Sequence, residues 1–154
     1  MSSDDVFRQH LENVIGDLER WSAGYHDVAD LKISATAAYW KLSVRPFMTG
    51  ACPFEILLQA SRSFSLDIAG EVYEDKPFDR FDFFLHLSRA IVAGHVARIE
   101  TRSALTGALE TIETRVELED GWAWIGERRV GARGVRKLES SQETRTQRFL
   151  PYRR

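Results

Sequence analysis

Residues 96–129 constrain this chain more than any other stretch. Ile112, Thr114, Val116 and Leu118 alternate with Glu113, Arg115, Glu117 and Glu119. A period of two marks a strand with one buried and one wet face. Glu119-Asp120-Gly121 follows, then Trp122-Ala123-Trp124-Ile125. A two-residue Asp-Gly turn would set both tryptophans beside the glutamates. A three-residue loop ending in Gly121 instead pairs Leu118 with Trp122 and Val116 with Trp124. It keeps the large apolar groups together and gives glycine the left-handed position. Upstream, Ile99 should share a face with Ile112, which asks for an even loop, and Ala104-Leu105-Thr106-Gly107 supplies it. Arg98 then falls opposite Glu113 as a cross-strand charge pair. Three antiparallel strands are predicted.

The rest of the chain follows a related plan. Residues 4–21 form an amphipathic helix, with Phe7, Leu11, Val14, Ile15 and Leu18 on one face, Ser2 or Ser3 as cap and Gly24 past its end. Leu31 and Ile33 alternate on odd positions, whereas Trp40, Leu42 and Val44 alternate on even ones, so a bulge or break is expected within 34–38. Residues 54–60 and 64–72 alternate around Ser61-Arg62-Ser63, a hairpin that places Gly70 opposite Phe54. Asp79 is the expected N-cap of a second helix running to Ala93. The fold class is therefore α+β in the order α-β-β-β-α-β-β-β. The expected architecture is an antiparallel sheet of about six strands with two helices packed on one face.

Charge divides the chain. Residues 1–127 carry 12 basic and 21 acidic side chains, and residues 128–154 carry nine basic and two acidic. We expect one α+β domain over 1–129 and a flexible basic C-terminal arm over 130–154. Phe149-Leu150-Pro151-Tyr152 is an apolar island within that arm that could dock. Cys52 is the only cysteine, which suits a reducing compartment. The acidic start M-S-S-D-D-V-F lacks a signal-peptide pattern, and no apolar run approaches the ~20 residues of a membrane span. A cytoplasmic protein is expected.

Chemistry is sparse. His10, His26, His86 and His95 have no metal-ligand spacing between them, so neither a metal nor a cofactor is expected. Cys52 has no sequence neighbour able to lower its pKa, although His26 or His95 could approach it in space. Asp67 and Glu71, read on one strand face, would lie ~13 Å apart, too far for paired carboxylate chemistry. There is no P-loop, G-x-G-x-x-G or G-x-S-x-G, and nucleotide-dependent chemistry is therefore disfavoured. Tyr39, Tyr73 and Ala69 fall on nominally wet faces, where they could form a docking patch.

In element order alone, α-β-β-β-α followed by antiparallel strands resembles small dimeric secretion-chaperone domains, with no motif behind the resemblance. Three functional readings follow. The first is a non-enzymatic protein-interaction or adaptor domain, homodimeric, whose partner contacts are Arg128, Arg129, Arg133 and Arg136. The second is a small-molecule-binding domain or hydrolase whose pocket draws on Trp122, Trp124, His95 and Cys52. The third is nucleic-acid binding through the basic arm, disfavoured by the acidic body and by the few stacking aromatics, Phe149 and Tyr152.

Overall fold

Ser2 starts the first helix. Its hydroxyl accepts the Asp5 N–H (3.3 Å) while the Asp5 carboxylate accepts the Ser2 N–H (3.4 Å), a reciprocal capping box. The computed structural model describes residues 2–78, 80–130 and 141–153. Helix α1 (Ser3–Ser22) leads through a 3-10 turn (Ala23–Tyr25) into β1 (Ala29–Ala35) and β2 (Tyr39–Pro46). Then come β3 (Phe54–Gln59), β4 (Ser63–Ile68), β5 (Glu71–Pro77) and helix α2 (Phe83–Val92). The chain closes with β6 (Val96–Ser103), β7 (Leu109–Glu117), β8 (Ala123–Arg129) and β9 (Gln142–Arg148). The class is α+β with every strand pair antiparallel, but among the described residues nine strands replace the expected six or so and they form two sheets, β1-β2-β3-β4-β5 and β8-β7-β6-β9.

One core serves both sheets and both helices. Val14 and Leu18 of α1 meet Trp40, Leu42, Ile56 and Leu66 of the five-stranded sheet, with Phe84, Leu87 and Ile91 of α2 and Val96 and Val116 of the second sheet. Aromatic edges fill the space between the helices. Phe7 lies against Phe78 and Phe81, His10 stacks on Phe81, and Phe64 meets Phe84 edge-on at 5.0 Å. Helix α2 begins later than expected, with Asp82 at its N-cap position; Asp79 lies outside the described residues.

Three departures from the predicted strands have local causes. The run expected as one strand over 64–72 is two, because Ala69 (φ 55°) and Gly70 (φ 82°) make a two-residue turn with both residues left-handed. That turn reverses the facing of everything after it. Tyr73 and Ala69, expected to be wet, are buried, and Val72, expected in the core, is 54% exposed. In the preceding hairpin Arg62 takes the left-handed position (φ 67°), so Gln59 pairs with Ser63 and Phe54 with Ile68, not with Gly70. In the meander the Leu118–Trp122 loop and the Val116–Trp124 pair form as expected, with Gly121 at φ 84°. The upstream turn also forms (Gly107 N–H to Ser103 O, 2.8 Å), but a bulge between Thr101 and Arg102 shifts the register by one. Ile99 therefore pairs with Glu113, away from Ile112, and Arg98 pairs with Thr114 on the inner face.

The C-terminal segment departs most. Residues 142–148, expected in the flexible arm, form β9 on the free edge of β6, from Ala97–Arg148 to Ser103–Gln142. All seven side chains of β9 are exposed, so backbone pairing holds it. Beyond β9 the apolar island docks. The Phe149 N–H bonds Val96 O (3.1 Å), the Leu150 N–H bonds Gly50 O (2.9 Å) and the Tyr152 N–H bonds Val92 O (2.9 Å). Tyr152 is 2% exposed, and its hydroxyl donates to the Cys52 carbonyl. Gly94 (φ 84°) admits this segment, since a Cβ there would sit 2.7 Å from Pro151 N. Tyr152→Ala removes a fully buried aromatic and is expected to cost roughly 3–5 kcal/mol, read as a lowered midpoint in chemical denaturation. A midpoint within error of wild type would rule out this docking.

Candidate functional site

The Ala69–Gly70 turn delivers Glu71 into the seam between the sheets. Its side chain is 6% exposed and lies between two arginines. Arg128 on β8 binds it in a fork, Nε to Oε2 at 2.6 Å and Nη2 to Oε1 at 3.2 Å. Arg98 on β6 approaches from the other side at 3.4 Å and donates to the Ala69 carbonyl at 2.7 Å. The hydrogen bond to Glu71, the larger cause, and its charge raise the Arg128 guanidinium above its ordinary range. Two residues on, Tyr73 shares a hydrogen bond with buried Thr114 (2.8 Å) and meets Trp124 edge-on at 5.2 Å. Burial, partly offset by the Thr114 bond, raises its phenol. Its ring lies over Gly126, where a Cβ would stand 2.5 Å from it.

Beside this seam runs a groove of about 360 Å³, lined by Phe64, Tyr73, Phe83, Leu118, Trp122 and Trp124 with Lys76, Arg80 and Glu127 at its rim. The two tryptophans named from the sequence meet here. Trp124 is half-buried against the core, while Trp122 is 67% exposed and not in the core as its register suggested. Arg80 is anchored by Asp82 (3.0 Å) and Asp120 (3.1 Å). The groove follows β8 from Trp122 to Glu127. The Leu118 N–H bonds Trp122 O and the Val130 N–H bonds Glu110 O, both at 2.7 Å. Even-numbered residues of β8 therefore face β7. Ala123, Ile125, Glu127 and Arg129 turn their N–H and C=O groups to the free side. Among the described residues no strand pairs with that side.

His95 and Cys52 do not line this groove. His95 is exposed in the turn after α2. Cys52 is fully buried, its Sγ 3.3 Å from Pro53 O. Burial, with the Asp67 charge adding and the Ala69 backbone opposing, pushes its thiol up to about 12. Such a group is neither nucleophile nor ligand at neutral pH. His86 stands 3.6 Å from Asp82, beyond hydrogen-bond reach, and does not line the groove. Asp67 and Glu71, read as one strand face, lie on different strands; Asp67 is exposed, with its pKa raised by desolvation against the opposing Arg45 charge. A larger hollow of about 550 Å³, by the loop over 46–53, is lined by Arg45, Met48, Gly50, Glu55 and Asp67. Among the described residues no three His, Cys, Asp or Glu side chains converge to hold a metal.

The arginines assigned to partner contacts divide. Arg128 is committed to Glu71, whereas Arg129 is exposed with Glu127 at 3.7 Å. Arg133 and Arg136 lie outside the described residues. Of the later basic groups, Arg145 and Arg148 are exposed on β9, while Arg153 binds Asp27 (2.7 Å) and the Gly24 carbonyl (3.0 Å). The seam was missed in the sequence because its two controls, the Ala69–Gly70 turn and the bulge beside Arg102, carry no hydrophobic signal. The Ala-Gly dipeptide ending an alternating run was the available clue.

Comparison with known proteins adds no relative: no family model, no curated protein and no solved structure matches this chain. No helix among the described residues is long and apolar enough to cross a membrane.

Glu71→Ala removes the buried carboxylate that Arg98 and Arg128 share, leaving Arg98 only Glu100 at 3.5 Å. It is expected to destabilise by roughly 2–4 kcal/mol, moderated because Arg128 is half-solvated, and a thermal melt matching wild type would contradict the seam. The Cys52 thiol is protonated in the folded chain to about pH 12 but ionises near 9.0 when exposed. Its contribution to stability is therefore fully present below pH 9.0 and declines as pH rises toward 12. Denaturation midpoints from pH 8 upward should fall more steeply for wild type than for Cys52→Ala; parallel curves would refute this.

Proposed function

We propose that this chain is a non-enzymatic protein-interaction domain, an adaptor that grips an extended segment of a partner along β8. One observation carries the reading. A strand edge that no strand among the described residues pairs runs beside an aromatic groove of about 360 Å³, with Trp122 67% exposed at its mouth. This combination suits strand addition, in which backbone groups supply affinity and a side-chain pocket supplies selectivity. The segment would bond the free groups of Ala123, Ile125 and Glu127 and lodge a large apolar side chain among Phe64, Phe83 and Trp124. The absence of a nucleophile–base pair among the groove's lining residues favours binding over catalysis. We further propose that the domain acts as a homodimer in the cytoplasm.

A second reading rests on the groove's volume, which falls within the ~300–1,000 Å³ of small-molecule sites. An apolar ligand bearing a negative charge would fit between the aromatics and Lys76. Both readings use Trp122, but only the first uses the strand edge.

Selecting a displayed library of random 12-residue peptides against the full chain separates them. Selected peptides are expected to bind Trp122→Ala at least tenfold more weakly. They should also weaken on Glu127→Pro, which removes one outward N–H at a position where an edge strand tolerates proline. Peptides indifferent to both changes would overturn the interaction reading. Binding of small aromatic acids that is sensitive to Trp122→Ala but not to Glu127→Pro would favour the second.

A further inference from the structure

The hollow of about 550 Å³ by the loop over 46–53 has two walls. One is the outer face of the five-stranded sheet. Val44, Phe54 and Ile68 are buried in the core, so their chain neighbours Ser43 and Arg45 on β2, Glu55 on β3 and Asp67 on β4 point outward. Ser43 lies directly across from Glu55, and Glu55 directly across from Asp67. The other wall is the loop, which brings Met48 and Pro53. The C-terminal segment pins this loop. The Leu150 N–H bonds Gly50 O (2.9 Å), and a Cβ on Gly50 would stand 3.1 Å from the Leu150 side chain.

The charges in this hollow are not spent on one another. Glu55 and Asp67, directly opposite on neighbouring strands, repel. Glu55 has the Lys41 ammonium at 3.8 Å, beyond hydrogen-bond reach. Among the described residues neither the Asp67 carboxylate nor the Arg45 guanidinium makes a hydrogen bond or an ion pair. Burial holds the Asp67 carboxyl above its ordinary range, against the opposing Arg45 charge. Other surface charges of this chain close on each other, as Arg80 does on Asp82 and Asp120, and Arg153 on Asp27.

We propose that this hollow binds a small zwitterion, an α-amino acid with an apolar side chain. Its ammonium sits between Glu55 and Asp67, its carboxylate on Arg45, and its side chain against Met48 and Pro53. An ammonium relieves the repulsion between the two carboxylates, and a guanidinium meets a carboxylate through two parallel N–H bonds. The Ser43 hydroxyl, beside Glu55, adds a further donor or acceptor. A ligand with a single charge would cover either the carboxylate pair or Arg45 without matching it, at a desolvation cost. The volume lies within the ~300–1,000 Å³ of small-molecule sites. Both walls are fixed before binding, one by strand pairing and the other by the docked C-terminal segment, which lowers the cost of ordering the site. The hollow shares no lining residue with the groove along β8, so this site stands apart from the interaction reading.

Titration of the full chain with each of the twenty common α-amino acids, followed by backbone amide NMR shifts, tests it. At least one with an apolar side chain is expected to bind with a Kd of roughly 1 mM or tighter, moving amides of residues 43–55 and 67–70. The matching amine without the carboxylate, and the matching acid without the amine, should each bind about tenfold more weakly, as charge-assisted hydrogen bonds are lost. Asp67→Asn and Arg45→Gln should weaken the amino acid by a similar factor. Both side chains are exposed, so the thermal midpoint should stay near wild type. Binding by none of the amino acids, or binding that both variants leave unchanged, overturns the site. An amine that binds as tightly as its parent amino acid overturns the role of Arg45 and with it the zwitterion assignment. Peptide binding along β8 should be the same in both variants, so the two sites are read separately.

Discussion

Glu71 joins the two sheets. It leaves the Ala69–Gly70 turn into a space walled by β6, β7 and β8, where Arg98 and Arg128 neutralise it from either side. A buried carboxylate without such partners would be strongly disfavoured. Tyr73 completes the seam two residues later through Thr114 and Trp124, over the bare backbone of Gly126. The orientation of β8, and with it the aromatic groove, follows from this cluster. The ion pairs fix direction and register, while the apolar surface around them supplies the greater part of the stabilisation.

A second constraint acts at the far end of the chain. Tyr152 enters the core beside Cys52, and Gly94 and Gly50 let the backbone of 149–152 pass close to the turn after α2 and to the loop before β3. The chain leaves β8 on one edge of the second sheet and returns as β9 on the other. The C-terminal residues thus tie the β9 edge of that sheet to the common core. The basic charge of this region is partly spent within the molecule, through Arg128 on Glu71 and Arg153 on Asp27. That weakens the case for a free basic arm presented to nucleic acid.

The binding role proposed above rests on a strand edge beside an aromatic groove. Among the described residues no strand pairs with the outer side of β8, where outward backbone groups run beside that groove. Cys52 and His95 were reasonable candidates in the sequence. The fold separates them from the tryptophans by burying the thiol in the core and leaving the imidazole in a solvent-facing turn.

The sequence by itself determined the helices, the α+β class, the Gly121 loop with its Val116–Trp124 register, and the Trp pair as a ligand candidate. Each is a local property: a period, a cap, or a glycine at a left-handed position. It left other features undetermined. Ala69 is left-handed without being glycine, the bulge at Arg102 inverts the inner face of β6, and the β9 sequence Gln-Glu-Thr-Arg-Thr-Gln-Arg has no apolar alternation. Only the tertiary structure decided which face held Arg98, why Glu71 is buried, and that residues 142–152 belong to the fold. Glu71 and Arg98 depend on a two-residue turn and a bulge that leave only a faint local trace, whereas residues 142–152 are held by segments distant in sequence.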